Sequence, residues 1–184
     1  MEGPRASHDP SADETPAKAD RCWFRAYRLT MAISDYVRLL RDLIGKQLLL
    51  LPSVSVLVQD DDDRLLLVRH ADSGLWGLVG GAVEVDERPD QAAIRETEEE
   101  TGLEVEVTRL VAALGGPGFR VTYPNGDETA YVTIIYEARR VGGVERTDGD
   151  EVLELGWFSR NDLSTIELGA VALATLRELG WLLV

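Results

Sequence analysis

Hydrophobic and polar positions settle into a regular rhythm from residue 34 onward. Ser34 stands before a segment in which Tyr36, Val37, Leu40, Leu43 and Ile44 recur at helical spacing, with Asp35 in the first turn and Gly45 placed to end it. That pattern predicts a capped amphipathic helix packed on the edge of a domain or on a second subunit. Two β-type runs follow, 53–58 and 64–69, separated by Gln59 and four consecutive aspartates, Asp60 to Asp63, which together read as a hairpin with a charged, solvated tip. A glycine-rich loop, 74–81, leads into an acidic helix over 89–101: Pro89 suits the first helical position, Asp90 the positive end of the helix, and Gly102 the stop. A β-type run over 104–111 precedes the loop GGPG at 115–118. The runs 119–123 and 129–137 flank the turn PNGD, whose Asn125 and Gly126 are the strongest short-range hairpin signal in the chain. An acidic loop, 142–151, then gives way to a strand over 152–158 and a last helix over about 169–179, stopped by Gly180. Several strands and about three helices without internal repeats predict one mixed α/β domain.

Residues 1–20 contain no aromatic residue, Val, Ile or Leu, and hold Pro4, Pro10 and Pro16, so they cannot bury enough surface to offset the entropy of ordering. The segment RCWFRAYRLT, 21–30, interleaves arginines with Trp23, Phe24 and Tyr27 and reads as a lead-in. The expected organisation is a disordered tail over 1–30 and a single domain over 31–184, with Met31 a plausible alternative start. Cys22 is the only cysteine, and with His8 and His70 it cannot supply a Cys/His zinc set. No apolar stretch approaches the ~20 residues of a membrane helix, and no basic segment followed by an apolar one opens the chain. A cytoplasmic protein without membrane partners is the default expectation.

Charge changes the picture more than composition does. The formal net charge is -14, so the long-range field would repel a phosphate backbone unless a cation mediates, which argues against extended nucleic acid as a partner. Half of that charge sits between Asp86 and Glu106, where nine acids meet only Arg88 and Arg95. On the helical wheel Glu96, Glu99 and Glu100 fall within roughly a 100° arc, whereas Glu98 points away. Ala92, Ala93 and Thr97 form a face suited to close packing, and Ile94 would anchor another. Like charges at these spacings destabilise a helix by roughly 0.2–0.5 kcal/mol per pair. Arg95 alone is placed to relieve them. Oxygen-only ligands on one rigid face, without Cys or His nearby, suit a hard divalent cation, Mg²⁺ or Mn²⁺, which would in turn reconcile an acidic protein with an anionic substrate.

The stretch 81–103, GAVEVDERPDQAAIRETEEETGL, resembles the signature box of the Nudix hydrolases. Gly81, Glu87, Arg95, Glu96, Glu99, Glu100, Gly102 and Leu103 all stand at the family's spacing, and the departure is Thr97 at a position that is ordinarily aliphatic. The flanks look similar too: GLWGLVGG before the box, with Val79 where proline is common, and Trp157, Phe158 and Leu163 after the last strand. The resemblance implies an α/β/α sandwich around a mixed β-sheet and Mg²⁺- or Mn²⁺-dependent hydrolysis of a nucleoside diphosphate derivative, by attack of water on phosphorus. It implies Glu96, Glu99 and Glu100 as metal ligands, one of them able to double as general base, and Glu87 as a further or supporting ligand. Arg95 would orient the glutamates, and Gly81 would offer its carbonyl to the metal.

Outside the box the candidates are more open. The water-activating carboxylate could come from the downstream loop, where Asp148, Asp150, Glu151 and Glu154 are on offer and Glu151 is preferred. Arg69 could meet a substrate phosphate, and Phe119, Tyr123 and Tyr131 could stack on a base. ADP-ribose or another sugar nucleotide and nucleoside triphosphates are the substrates expected, with dinucleoside polyphosphates or capped RNA ends as an alternative. A non-catalytic nucleotide-sensing module is the competing class, but such a module is free to lose a box carboxylate, and none is missing. A homodimer is compatible with the amphipathic first helix.

Overall fold

A computed structural model describes residues 34–182; the tail expected over 1–30, Met31 and Cys22 lie outside the described residues. The elements run α1 (Asp35–Ile44), β1 (Leu49–Val58), β2 (Leu65–His70), β3 (Trp76–Leu78), α2 (Pro89–Thr101), β4 (Leu103–Leu114), β5 (Arg120–Thr122), β6 (Glu128–Gly143), β7 (Val152–Phe158) and α3 (Ala170–Glu178). One sheet has the order β1-β6-β4 with β5 also on β6, and the other has the order β3-β2-β7. β1 runs parallel to β6 and the remaining ladders are antiparallel, so the arrangement is mixed.

Side-chain alternation along β1 and β2 sorts the core into two layers. Val54, Val56 and Val58 of β1 and Leu66 and Val68 of β2 pack with Ala92 and Ala93 of α2. Leu57, Leu65 and Leu67 face the other way and pack with Ala172 and Leu176 of α3. Helices therefore cover both sides of the strands. This explains why 54–58 is a continuous buried run and not an alternating one.

The hairpin expected between β1 and β2 does not form as a ladder. β1 belongs to one sheet and β2 to the other, and only the isolated bridge Gln59–Leu65 and the Asp60 N–H to Arg64 carbonyl bond join them. Asp60 is taken up by the turn, its carboxylate accepting from the Asp62 and Arg64 amides and from the Arg64 guanidinium. The reversal thus hands the chain from one sheet to the other. The PNGD hairpin does form, with β5 against β6 and Gly126 at φ 85°.

α1 begins and ends where the pattern places it, with the Ser34 hydroxyl accepting from the Val37 N–H at 3.2 Å and Gly45 following the last turn. None of its residues is buried. Its tether is Arg41, whose guanidinium donates to the carbonyls of Gln47 and Glu128 and to the Thr129 hydroxyl, each at 2.8 Å, and lies 3.7 Å from Asp127. Among the described residues no helix is long and apolar enough to cross a membrane.

Candidate active site

α2 is fixed by its small face. Ala92, Ala93 and Thr97 have no exposed surface, which lets the helix lie close on β1 and β4. Thr97 fits there because its hydroxyl donates to the Ala93 carbonyl one turn back at 2.7 Å, so no buried polar atom is left over. Ile94, expected to anchor a second face, is instead 38% exposed; the helix needs only one packed side. The helix ends on Gly102 in the left-handed region, φ 69°.

The acids crowd beside this face, and Arg95 organises three of them. Its guanidinium clamps Glu87 through both oxygens, at 2.8 and 2.9 Å, and donates to Glu96 at 2.8 Å, to Glu99 at 3.1 Å and to the Ala82 carbonyl at 3.2 Å. All five donors of the fork are thus used. Glu100 turns inward. It is only 4% exposed and accepts from the Gly80 N–H at 3.0 Å. Gly80 has φ 144°, and a side chain there would run into the Val54 carbonyl, so the loop can present this N–H only with glycine in place. Gly81 lies directly against the Glu96 carboxylate, with no room for a Cβ, and its carbonyl already accepts from the Val54 N–H at 2.9 Å.

The electrostatics follow from burial. Burial pushes the Glu96 carboxyl up to about 7, against the pull of Arg95, with Glu99 and Glu151 adding to the rise. Burial also raises Glu100 well above the carboxylate range; the Gly80 N–H opposes this, while Glu96, Glu151 and Asp148 reinforce it. Glu87 is held low by its hydrogen bonds to Arg95. A half-buried and a buried carboxylate therefore share a neighbourhood that contains further carboxylates.

A NUDIX domain matches residues 49–179. The chain belongs to the Nudix hydrolase family. It is 36% identical over 112 residues to a MutT-like protein of Streptomyces ambofaciens, covering 61% of this chain and 66% of that one. It is 32% identical over 135 residues to the nucleoside triphosphatase NudI of Klebsiella pneumoniae, covering 70% and 96%. It is also 32% identical over 127 residues to an ADP-ribose pyrophosphatase of Methanocaldococcus jannaschii, covering 67% and 71%. Among solved structures it is similar to a MutT NUDIX hydrolase from Burkholderia pseudomallei, with 28% identity, a TM-score of 0.59, and 70% and 97% of the two chains covered.

Within this Nudix framework the downstream acids separate. One Asp148 oxygen is engaged by three main-chain N–H groups. Glu154 pairs with Arg69 at 3.3 Å, and Asp150 is exposed. Glu151 is half-buried and acts electrostatically on both Glu96 and Glu100.

The substrate-binding expectations fare differently. Phe119 is 3% exposed, so it cannot stack on a base; the GGPG loop folds as a short 3₁₀ turn that drives the ring into the core. Arg69 is held by the Gly74 carbonyl at 3.0 Å and by Glu154 at 3.3 Å. Tyr123 is half-buried, its hydroxyl 2.5 Å from that of Tyr131 at the β5–β6 hairpin. His70 is half-buried against Gly77, and desolvation lowers its pKa although Asp72 and Asp148 act to raise it.

Glu98 is exposed and rims, with Glu87, Gln91, Arg95, Glu99 and Arg146, a depression of about 640 Å³ beside α2. The partner that sequence reading missed is the Gly80 N–H, which no side-chain identity could announce; the Gly80–Gly81 pair is the only trace of it.

As the side chains stand, no three His, Cys, Asp or Glu side chains among the described residues surround a common point closely enough to hold an ion. Three carboxylates are drawn to Arg95 and the fourth to Gly80. The donor chemistry nevertheless fits a hard divalent cation. All the candidates are oxygens, and with no cation present burial disfavours the charged forms of Glu96 and Glu100, which a cation would favour.

Proposed function

We propose that this Nudix hydrolase cleaves the diphosphate linkage of a small nucleotide, a nucleoside triphosphate or an ADP-ribose-type sugar nucleotide, with Mg²⁺ or Mn²⁺. The observation that carries the reading is the pair Glu96 and Glu100, raised in pKa and crowded by further carboxylates. Such an arrangement costs stability in the protein alone and is relieved by a cation. Glu96, Glu99 and Glu100 would hold it, with Glu87 supporting through Arg95 and the Gly81 carbonyl contributing its remaining lone pair. When bound, a cation of this kind offsets charge on phosphate oxygens and lowers the pKa of attacking water.

The protein's own residues do the rest. Arg95 keeps Glu87, Glu96 and Glu99 from dispersing, and Gly80 aims Glu100. Glu151 is the base that accepts the proton from water, and Tyr123 with Tyr131 forms a hydroxyl pair on the hairpin wall, where a sugar or base can be hydrogen-bonded. The similarity to NudI and to an ADP-ribose pyrophosphatase supports both substrate classes.

The test is a panel of ADP-ribose, UDP-glucose, the common nucleoside triphosphates, 8-oxo-dGTP and diadenosine tetraphosphate, each with Mg²⁺, Mn²⁺ or chelator. Cation-dependent cleavage of the diphosphate in one of the first four is expected. Tight nucleotide binding with no turnover of any compound would favour a sensing module instead.

A further inference from the structure

Residues 144–151 join β6 to β7 and are fastened to the body of the protein at two points. At one end the Arg146 N–H donates to the Thr101 carbonyl at 2.9 Å, fastening the loop to the last turn of α2. At the other, the Ala71 N–H donates to the Glu151 carbonyl at 2.8 Å, fastening it to the residue after β2. These two bonds fix where the loop begins and ends its crossing. They leave the path between undetermined.

Asp148 determines it. Its Oδ1 accepts from the N–H groups of Asp150, Glu151 and Val152, at 2.9, 3.0 and 2.9 Å. Three amides nearly in succession converging on one anionic oxygen form a concave, charge-assisted arrangement. Gly149, at φ 81°, makes the curl that brings them round. Val152 has no exposed surface and opens β7, so the third of these bonds ties the curl to the core. Glu151 lies between two bonded neighbours and its own amide is bonded to the same oxygen.

We propose that Asp148 is a positioning residue: its carboxylate holds the main chain of 150–152 so that the Glu151 side chain faces Glu96 and Glu100. The inference rests on the assignment of Glu151 as base. Asp148, three positions away, spends one of its carboxylate oxygens on these amides.

The test compares four variants of the full chain: Asp148→Ala, Asp148→Asn, Glu151→Gln and the double variant Asp148→Ala/Glu151→Gln. Amide hydrogen exchange at 150–152 reads the positioning without reference to activity, and kcat and KM with ADP-ribose and with dGTP in Mg²⁺ read its consequence. Asp148→Ala should speed exchange at these amides by roughly tenfold or more. It should lower kcat by a similar factor with KM little changed. Asp148→Asn keeps an acceptor oxygen and should restore both most of the way. In the double variant the loss of Asp148 should add nothing to the loss of Glu151.

Unchanged exchange in Asp148→Ala would overturn the proposal, and so would losses that multiply in the double variant. Failure of the underlying assignment looks different. Glu151→Gln would then turn over like wild type while exchange in Asp148→Ala still rose, removing the catalytic role of Glu151 and with it the consequence claimed for Asp148.

Discussion

Arg41 in α1 and Arg95 in α2 occupy similar posts, each a half-buried guanidinium through which one helix is tied to the molecule, yet they hold opposite kinds of partner. Arg41 gathers mainly neutral groups, the carbonyls of Gln47 and Glu128 and the Thr129 hydroxyl. Arg95 gathers Glu87, Glu96 and Glu99. The difference tracks packing. α2 has five buried residues and would stay in place without its arginine, so its arginine is free to arrange charge. α1 has none, and the arginine is its attachment. A polar clamp can dock a helix, but only a packed face lets a helix tolerate carboxylates crowded within and beside it.

The sharpest way to break this contrast is at α2. Glu100→Gln preserves the shape and an acceptor for the Gly80 N–H but removes the charge; kcat should fall by orders of magnitude, as it should for Glu99→Gln. Glu98→Gln, at an exposed position with no hydrogen bond to Arg95 or to the glycine loop, should change kcat by less than about threefold, in the range of surface substitutions. Steady-state rates at saturating Mg²⁺ decide, and equal damage from Glu98→Gln and Glu100→Gln would refute the assignment of the working face.

The electrostatic half of the contrast is tested by pH. Glu96, raised from its ordinary 4.5 to about 7, and Glu100, raised with it, bind protons more tightly folded than unfolded. Between about pH 4.5 and 7 the folded state therefore holds more protons, and stability falls as pH rises through that window, on the order of a few kcal/mol in all. Glu87, held low, works in the opposite sense only below its ordinary value of 4.5. In chelator, Tm should be higher at pH 5 than at pH 8. Mg²⁺ at matched ionic strength should recover the loss at pH 8 for wild type and not for Glu100→Gln. A Tm that does not move between pH 5 and 8 would show that the pair is not strained.

At α1 the effect should be smaller. Arg41→Met removes the clamp and leaves the Glu128 and Gln47 carbonyls to water, costing about 1–3 kcal/mol. Increased amide exchange across 35–44 with kcat nearly intact is the expected pattern. Loss of kcat comparable to that of Glu100→Gln would mean that α1 belongs to the site.

Legibility in the sequence followed the range of the interactions. The bounds of α2 were readable because Pro89, the alanine face and Gly102 act within a few turns, and the box glutamates because their spacing is itself the signal. The β1–β2 hairpin was misread because proximity and a turn look the same whether the strands pair or part; the true partner of β1 is β6, and no local residue announces it. β3, three residues long, is too short to show a period. Burial of Phe119 and the Gly80–Glu100 bond likewise depend on chain segments far away in sequence.

The parallel pairing of β1 with β6 sets the order of events as the chain leaves the ribosome. Leu49 must wait for Thr129, roughly 80 residues later in synthesis, before its ladder can begin, and every residue of α2 emerges in the interval. Loop closure on that scale is slow compared with helix formation, so the glutamate-bearing helix can wind before the strand it packs on has a partner. The run 48–51, four leucines of which Leu48 and Leu50 remain 42% and 66% exposed even in the finished fold, is then a sticky segment during biosynthesis. Expression yield, more than final stability, is where substitutions such as Leu50→Lys should register.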